Sequence, residues 1–152
     1  MDVALAALED LAAWQRVIDG YAPLFEPLAT NATVGLVPRF FVDAIGARRS
    51  TAMPATPTLP MIEWRKRDDR MRAQPGTYRG LDGVGVDLLV LAGDGALEAV
   101  LAREEHPLGE MKRQLRAARI QFFVLRTKGE LRDLGYEDFV EALGLPFLGA
   151  CR

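Results

Sequence analysis

Apolar positions near the start of the chain recur at three- and four-residue steps. From Asp2 to Asp19 these residues fall on one face of a helix, with polar and charged residues on the other face. Asp2 is placed to cap the first turn, and Gly20 stands where such a helix would end. We therefore predict an amphipathic helix over Asp2 to Asp19.

Two apolar segments predict strands. Thr33 to Val37 is short and rich in β-branched residues, and Pro38 would end this strand or place it at a sheet edge, since proline cannot donate to a ladder. Val84 to Ala92 is apolar on both alternating faces, which is typical of a strand covered on both sides. We expect this second strand to lie centrally in a sheet.

The segment after the central strand predicts a hairpin. Gly93, Asp94 and Gly95 form a turn signal, and Ala96 to Glu104 is short enough to be the returning strand. The Ala, Leu and Glu content of Ala96 to Glu104 would also tolerate a helix. Because of the turn and the short length, we predict a strand.

The last third of the chain predicts two helices around a buried strand. The first helix covers Pro107 to Arg119, where proline suits the first helical position. The strand covers Ile120 to Leu125. The second helix covers Lys128 to Leu143, preceded by Thr127, which is predicted to form a capping box with the glutamate three residues later.

The region from 47 to 83 is the least regular. Thr51 to Pro60 holds three prolines, so we predict an irregular proline-rich loop over 47–60. Met61 to Trp64 predicts a short strand, and Pro75 with Gly76 predicts a turn. Taken together, the elements predict one domain over 1–152 of the α/β class, with an α+β mixed sheet and flanking helices.

Composition and charge narrow the classes of function. The chain has 152 residues, a formal charge of -2, one cysteine and one histidine, which excludes a disulfide framework and a multi-cysteine zinc site. No apolar run reaches the roughly 18 residues that a membrane span needs. The first residues carry acidic groups rather than the basic start of a signal peptide. We expect a cytoplasmic protein that does not contact a membrane.

Asp87 is the one charged residue inside the central apolar strand. Burial of a carboxylate costs several kcal/mol unless it is paired, hydrogen-bonded, metal-bound or protonated. Asp87 is therefore a metal ligand or catalytic acid, a partner in a salt bridge with an arginine, or a residue at a strand end with access to solvent. Glu104, near the end of the next predicted strand, is a second carboxylate that could join Asp87 around Mg²⁺, which prefers oxygen ligands.

Basic residues form two clusters that could contact phosphates. The first includes Arg65, Lys66 and Arg67, and the second includes Lys112, Arg116 and Arg119. Trp64 or Tyr78 would be available to stack on a base. The alternative is that both clusters are ordinary solvated surface. Whether the two clusters share one side of the molecule depends on the fold.

The region from Gly85 to Arg126 resembles the restriction-endonuclease-like, PD-(D/E)xK nuclease superfamily, and is most similar to uncharacterised bacterial domains within it. The matching segments are VDLLVL (86–91), AVLAREEH (99–106) and KRQLRAARIQFFVLR (112–126), with VGLVPRFFVDAIG (34–46) similar to the first strand. The resemblance implies an Asp that opens a hairpin, followed by an acid and a lysine on the next strand. It also implies metal-dependent hydrolysis of phosphodiesters.

This sequence departs from the pattern of that superfamily. The expected glutamate falls on Ala102 and the expected lysine on Glu104, so only Asp87 keeps its role, while Lys112 would be a displaced lysine. We therefore predict a nuclease-like domain without catalysis that binds DNA or RNA or acts as an accessory module. A protein–protein adaptor or homo-oligomer, and a weak Mg²⁺-dependent nuclease held together by Asp87, Glu104 and Lys112, are the alternatives.

Overall fold

The fold is built on a five-stranded mixed sheet. The structure is a computed structural model that describes residues 7–39, 59–80 and 85–145. The strands lie in the order β3-β2-β1-β4-β5, which forms a single α+β domain with the flanking helices. This confirms the predicted fold class. The described elements are α1 (Leu11–Gly20), α2 (Ala22–Phe25), β1 (Thr33–Pro38), β2 (Leu59–Arg67), β3 (Arg70–Tyr78), β4 (Leu88–Ala92), α3 (Ala96–Ala102), α4 (Pro107–Arg116), β5 (Ile120–Val124), α5 (Lys128–Leu134) and α6 (Glu137–Ala142).

The parallel pair of β1 and β4 forms the centre of the sheet. Val34 lies opposite Leu88, and Pro38 lies opposite Ala92. All residues of both strands are buried, which confirms that β4 is covered on both faces. The expectation that Pro38 could place β1 at an edge is wrong. The proline is the last residue of a central strand, where its missing N–H interrupts little of the ladder.

The hairpin of β2 and β3 is much longer than predicted. Each strand has nine residues, so the expected short strand at Met61 to Trp64 is only the middle of β2. Pro75 and Gly76 do not form a turn, because they lie inside β3 opposite Ile62 and Met61. The turn is instead at Asp68 and Asp69, where Asp68 adopts a left-handed conformation with φ of 55°.

The predicted hairpin after β4 is wrong. Gly95 has φ of 77° and begins α3, in which Ala96, Leu97 and Val100 are buried. The turn signal at 93–95 therefore leads into a helix, and the alanine and leucine content of the segment agrees with its helical propensity. No strand follows β4 directly. The next strand, β5, pairs with it antiparallel only after two helices.

An aromatic cluster fills the space between the sheet and the helices. Trp64 of β2 lies 6.0 Å from Trp14 of α1 and 6.0 Å from Phe25 of α2, measured between ring centroids. Phe139 of α6 lies 5.5 Å from Phe25 and 6.3 Å from Trp64. All four rings are essentially inaccessible to solvent. Aromatic pairs at such separations stabilise a core beyond their buried area.

The helix predicted over Asp2 to Asp19 is interrupted at Asp10: residues 7–9 are also helical, and α1, which begins at Leu11, covers the edge of β3. Its cap is Asp10, whose side chain accepts from Ala13 N, while the predicted cap at Asp2 lies outside the described residues. The Gln15 side chain accepts from Ala73 N at 2.8 Å and donates to the Met71 carbonyl at 3.1 Å. These two bonds replace the ladder that an additional strand would form, so α1 seals this edge.

The predicted helix over Lys128 to Leu143 is interrupted. The capping box of Thr127 and Glu130 is confirmed, but α5 ends at Gly135, which has φ of 90°. A β-carbon at Gly135 would lie 2.1 Å from the Pro27 carbonyl oxygen, so the helix must break where this loop passes. Tyr136 follows at once and caps α6.

Some expectations fall on residues outside the described ranges. These are the predicted cap at Asp2 and the loop over 47–58. Leu59 and Pro60, the end of the predicted loop, belong to β2. Among the described residues, no helix has the length and hydropathy needed to cross a membrane.

Candidate functional site

Asp87 lies at the entrance to β4, where the chain enters the sheet beside β1. Its Oδ2 accepts from Thr33 N at 2.9 Å and from the Tyr136 hydroxyl at 2.8 Å. Its Oδ1 lies 3.0 Å from Arg126 Nε. The side chain is 9% exposed, whereas the Arg126 side chain is 37% exposed. The salt bridge to an arginine, one of the interpretations left open by the sequence, is present in the structure.

The environment of Asp87 holds Tyr136 in its neutral form. Burial, and then the neighbouring Asp87 carboxylate, raise the pKa of the Tyr136 phenol far above its usual range. The phenol therefore acts as a hydrogen-bond donor and ties the start of α6 to the beginning of β4. The guanidinium of Arg126 supplies the positive charge beside the carboxylate. This arrangement links β1, β4, α6 and the segment after β5.

The other two residues predicted for a metal or catalytic site do not contact Asp87. Glu104 is exposed and lies beyond the end of α3, because the segment that was expected to be a strand is helical. Lys112 lies on α4, where a β-carbon at Gly144 would approach its Cε to 2.8 Å. Neither residue is among the hydrogen-bond or ion-pair partners of Asp87.

Glu104 instead lines a cleft between α1 and the connection from α3 to α4. The cleft has a volume of about 530 Å³ and carries both signs of charge on a partly apolar floor. It contains His106, the one histidine of the chain. Its lining comprises Ala13, Arg16, Val17, Gly20, Tyr21, Leu101, Arg103, Glu104, Glu105, His106 and Pro107.

A buried glutamate on α4 was not identified from the sequence. Glu110 is 2% exposed, and its carboxylate binds Arg113 at 3.1 Å and Gln114 at 2.6 Å, with Arg103 at 3.8 Å. Hydrogen bonds from Arg113 and Gln114 lower the pKa of Glu110. Arg113 therefore serves a structural ion pair. The signal available in the sequence was the three-residue spacing of Glu110 and Arg113.

The solvent-facing side of the β2–β3 hairpin carries four arginines. In the register of the hairpin, Arg65 lies opposite Arg72 and Arg67 lies opposite Arg70. Successive side chains alternate between the faces of a strand, and Trp64 faces the helices, so the alternation assigns these four positions to the other side of the sheet. The Arg70 side chain, next to the turn, nevertheless reaches Asp19 of α1. We call Arg65, Arg67, Arg70 and Arg72 the arginine face.

The arginine face is only partly neutralised by its neighbours. Arg65 lies 3.6 Å from the Glu63 carboxylate, and Arg70 forms an exposed ion pair with Asp19 at 3.3 Å. Among the described residues, the Arg67 side chain binds only the neutral side chain of Gln74, at 3.3 Å. The Arg72 side chain is exposed and forms no hydrogen bond or ion pair with the part of the chain that the structure describes.

Three residues predicted for a nucleic-acid surface cannot reach a ligand there. Lys66 is 3% exposed, and its ammonium donates to the Phe25 carbonyl at 2.6 Å and the Glu26 carbonyl at 3.1 Å. It therefore anchors the end of α2. Trp64 and Tyr78, expected to be available for base stacking, are both buried in the core.

The two basic clusters lie at opposite edges of the sheet. The arginine face is on β2 and β3, whereas α4 precedes and packs against β5. Four strand spacings separate β3 from β5, which is about 19 Å. Arg116 and Arg119 are exposed near β5, and Lys112 is half-buried. The two clusters therefore do not form one continuous basic strip along the sheet.

Within residues 7–39, 59–80 and 85–145, no group of three or more His, Cys, Asp or Glu side chains is placed to hold a metal ion. Comparison of the chain with protein-family models, curated proteins and solved structures found no match.

Proposed function

We propose that this protein is a cytoplasmic, non-catalytic module that binds nucleic acid through the phosphate backbone, using the arginine face. The observation that carries the proposal is the pair of directly opposed arginines, Arg65 with Arg72 and Arg67 with Arg70. Like charges directly opposite each other destabilise a hairpin, by roughly 0.2–1 kcal/mol per pair. A polyanion that binds between the arginines offsets that cost.

The composition of the face supports backbone contact without reading of bases. Arginine binds phosphate oxygens through two parallel N–H groups, which suits a row of guanidinium groups. Because Trp64 and Tyr78 are buried, neither contributes a stacking platform. We expect similar affinity for different sequences and a strong dependence on salt. With about three phosphates neutralised, the logarithm of the affinity should fall with the logarithm of salt at a slope of about −2.7 on duplex DNA.

The surroundings of Asp87 support the non-catalytic part of the proposal. Both carboxylate oxygens already have partners, and the guanidinium of Arg126 lies where a cation would approach Oδ1. A weak Mg²⁺-dependent nuclease would have to release this ion pair. Descent from the PD-(D/E)xK superfamily stays a prediction, and the helix at Ala96–Ala102 replaces the strand that it implies.

The test compares charge reversal on the two basic clusters. Labelled 20-nucleotide single- and double-stranded DNA and RNA are titrated with the protein at low and physiological salt, and fluorescence anisotropy is recorded. The first variant carries Arg67→Glu and Arg72→Glu, each opposite a remaining arginine, so the hairpin exchanges repulsion for attraction and should stay folded. The matched variant carries Arg116→Glu and Arg119→Glu at the other edge of the sheet.

We expect the hairpin variant to lose at least tenfold in affinity and to show a shallower salt dependence. The matched variant should bind within about twofold of the wild type. Equal loss in both variants, or loss only in the α4 variant, would contradict the proposed face. Mg²⁺-dependent cleavage that disappears in Asp87→Ala would contradict the non-catalytic assignment, whatever the binding results.

A further inference from the structure

The two edges of the sheet differ in their protection. At the β3 edge, the Gln15 side chain binds Met71 and Ala73, and Pro75 has no N–H to offer. At the other edge, β5 has the sequence IQFFV, with no charged residue and no proline. Soluble proteins ordinarily blunt an edge strand with charge, proline, a bulge or a covering element. The contrast identifies β5 as the edge available for pairing.

The hydrogen-bond register shows which backbone groups of β5 face outwards. Leu125 N donates to the Asp87 carbonyl at 2.9 Å, and Gly93 N donates to the Arg119 carbonyl at 2.6 Å. In an antiparallel pair, every second residue of a strand bonds to its neighbour, counted here from 119 and 125. Residues 121 and 123 therefore direct their N–H and C=O groups to β4, and residues 120, 122 and 124 direct theirs away from it.

Within the described residues, these outward groups are unpaired. Neither the N–H nor the C=O of Phe122 or Val124 has a hydrogen-bond partner in the described ranges of the chain. Val124 is also 53% exposed, and in those ranges it is the one large hydrophobic side chain that is exposed. Phe122 beside it is half-buried. The edge thus combines unsatisfied backbone groups with an apolar side chain, which is the pattern that an added strand requires.

Charge around the edge indicates what kind of strand fits. Arg116 and Arg119 are exposed just before β5, and Arg126, which is partly exposed and paired with Asp87, follows it. If β5 of a second copy paired antiparallel with this β5, centred on Phe122, Arg119 would lie opposite the copy's residue 125 and next to its residue 126. Residue 126 is an arginine, so two positive charges would lie close together. Acidic residues at the ends of a bound segment would meet these arginines with opposite charge.

We propose that β5 binds an extended peptide segment of a partner protein, with apolar residues at alternate positions in its centre and acidic residues at its ends. The segment adds a sixth strand to the sheet by pairing with the outward N–H and C=O groups of Phe122 and Val124. This interaction is independent of the arginine face, which lies at the opposite edge of the sheet.

The probe is a fluorescein-labelled peptide, acetyl-Glu-Val-Thr-Val-Thr-Val-Thr-Glu-amide, titrated with the full chain by fluorescence anisotropy. A peptide with lysine in place of both glutamates is the charge control. Val124→Pro removes one outward N–H at an edge position, where proline is tolerated. Val124→Thr is the matched variant, because it keeps the N–H and the β-branched shape. Amide resonances of residues 120–125 are followed by ¹H–¹⁵N NMR.

We expect saturable binding by the wild type and by Val124→Thr, and at least tenfold weaker binding by Val124→Pro and by the lysine peptide. The amides of Phe122 and Val124 should shift and become protected from hydrogen exchange. Three results would each overturn the proposal: no saturation up to 1 mM protein, equal binding by Val124→Pro with its fold intact by circular dichroism, or a homodimer through β5 in sedimentation experiments.

Discussion

Substitution of Asp87 by alanine tests the structural role of this carboxylate. The change leaves two buried donors without an acceptor, Thr33 N–H and the Tyr136 hydroxyl. A buried donor that loses its partner costs about 1–3 kcal/mol. Loss of the pair with Arg126, whose side chain is 37% exposed, adds at most about 1 kcal/mol. We expect the free energy of unfolding to fall by about 3–6 kcal/mol, a large share of the 5–15 kcal/mol typical of a domain.

Tyr136→Phe is the matched variant, because it removes one donor and leaves the rest of the Asp87 site in place. It should cost about 1–2 kcal/mol. In the double variant, which combines Asp87→Ala with Tyr136→Phe, no hydroxyl is left without an acceptor at position 136. Its loss of stability should therefore be about 1–2 kcal/mol less than the sum of the losses in the two single variants. Urea denaturation, followed by fluorescence of the two buried tryptophans and by circular dichroism, measures all three values.

Thermal unfolding gives an independent measure. At about 2–4 °C per kcal/mol for a chain of this size, Asp87→Ala should lower the melting temperature by roughly 6–24 °C. A loss below 1 kcal/mol would refute the structural role argued from the hydrogen bonds. Additive costs in the double variant would show that Tyr136 and Asp87 act independently.

Two further predictions concern backbone and core. Gly135→Ala should destabilise the fold by about 3 kcal/mol or more, because its β-carbon would collide with the Pro27 carbonyl, whereas Gly95→Ala, also left-handed but with open space around it, should cost only about 1–2 kcal/mol in thermal denaturation. Trp14→Phe should cost about 1 kcal/mol more than Trp64→Phe in urea denaturation. The Trp14 indole donates to a carbonyl at 2.8 Å, whereas the buried Trp64 indole nitrogen has no partner among the described residues, and equal costs would contradict this reasoning.

The central strands were predictable because their signal is local. Thr33 to Val37 and Val84 to Ala92 are continuous apolar segments, and burial on both faces produces this pattern. The expectation that β1 could lie at an edge rested on Pro38 alone. Whether a strand is central depends on which segments pair with it, and those lie about 25 to 55 residues away in the chain.

The full length of the β2–β3 hairpin was missed because Lys66 interrupts the alternation of apolar and polar residues along β2. Arg67 is exposed and Arg65 is half-buried, both at positions opposite to Trp64 as a period of two requires, but the basic residue between them, Lys66, is buried. Its ammonium is satisfied by two carbonyls at the end of α2, which no local pattern shows. A run of basic residues therefore looked like a charged loop.

The sequence predicts that Asp87 needs a partner, but it does not show which residues are the partners. A carboxylate in an apolar strand indicates a cation or a hydrogen-bond donor nearby. Arg126 and Tyr136 lie 39 and 49 positions further along the chain, and only the folded sheet brings them to Asp87. The strand expected at Ala96 to Glu104 failed for a local reason. Its composition favours a helix, and a glycine turn can begin a helix as well as a hairpin.

The unequal protection of the two sheet edges limits how the molecule can self-associate. Fibril growth by strand addition requires each subunit to present two pairable edges, one to join the stack and one to receive the next subunit. Here the Gln15 side chain and Pro75 block β3, so a strand added at β5 ends the growth of the sheet. We therefore expect each molecule to pair through β5 alone, so that edge-to-edge association ends once β5 has bound one strand.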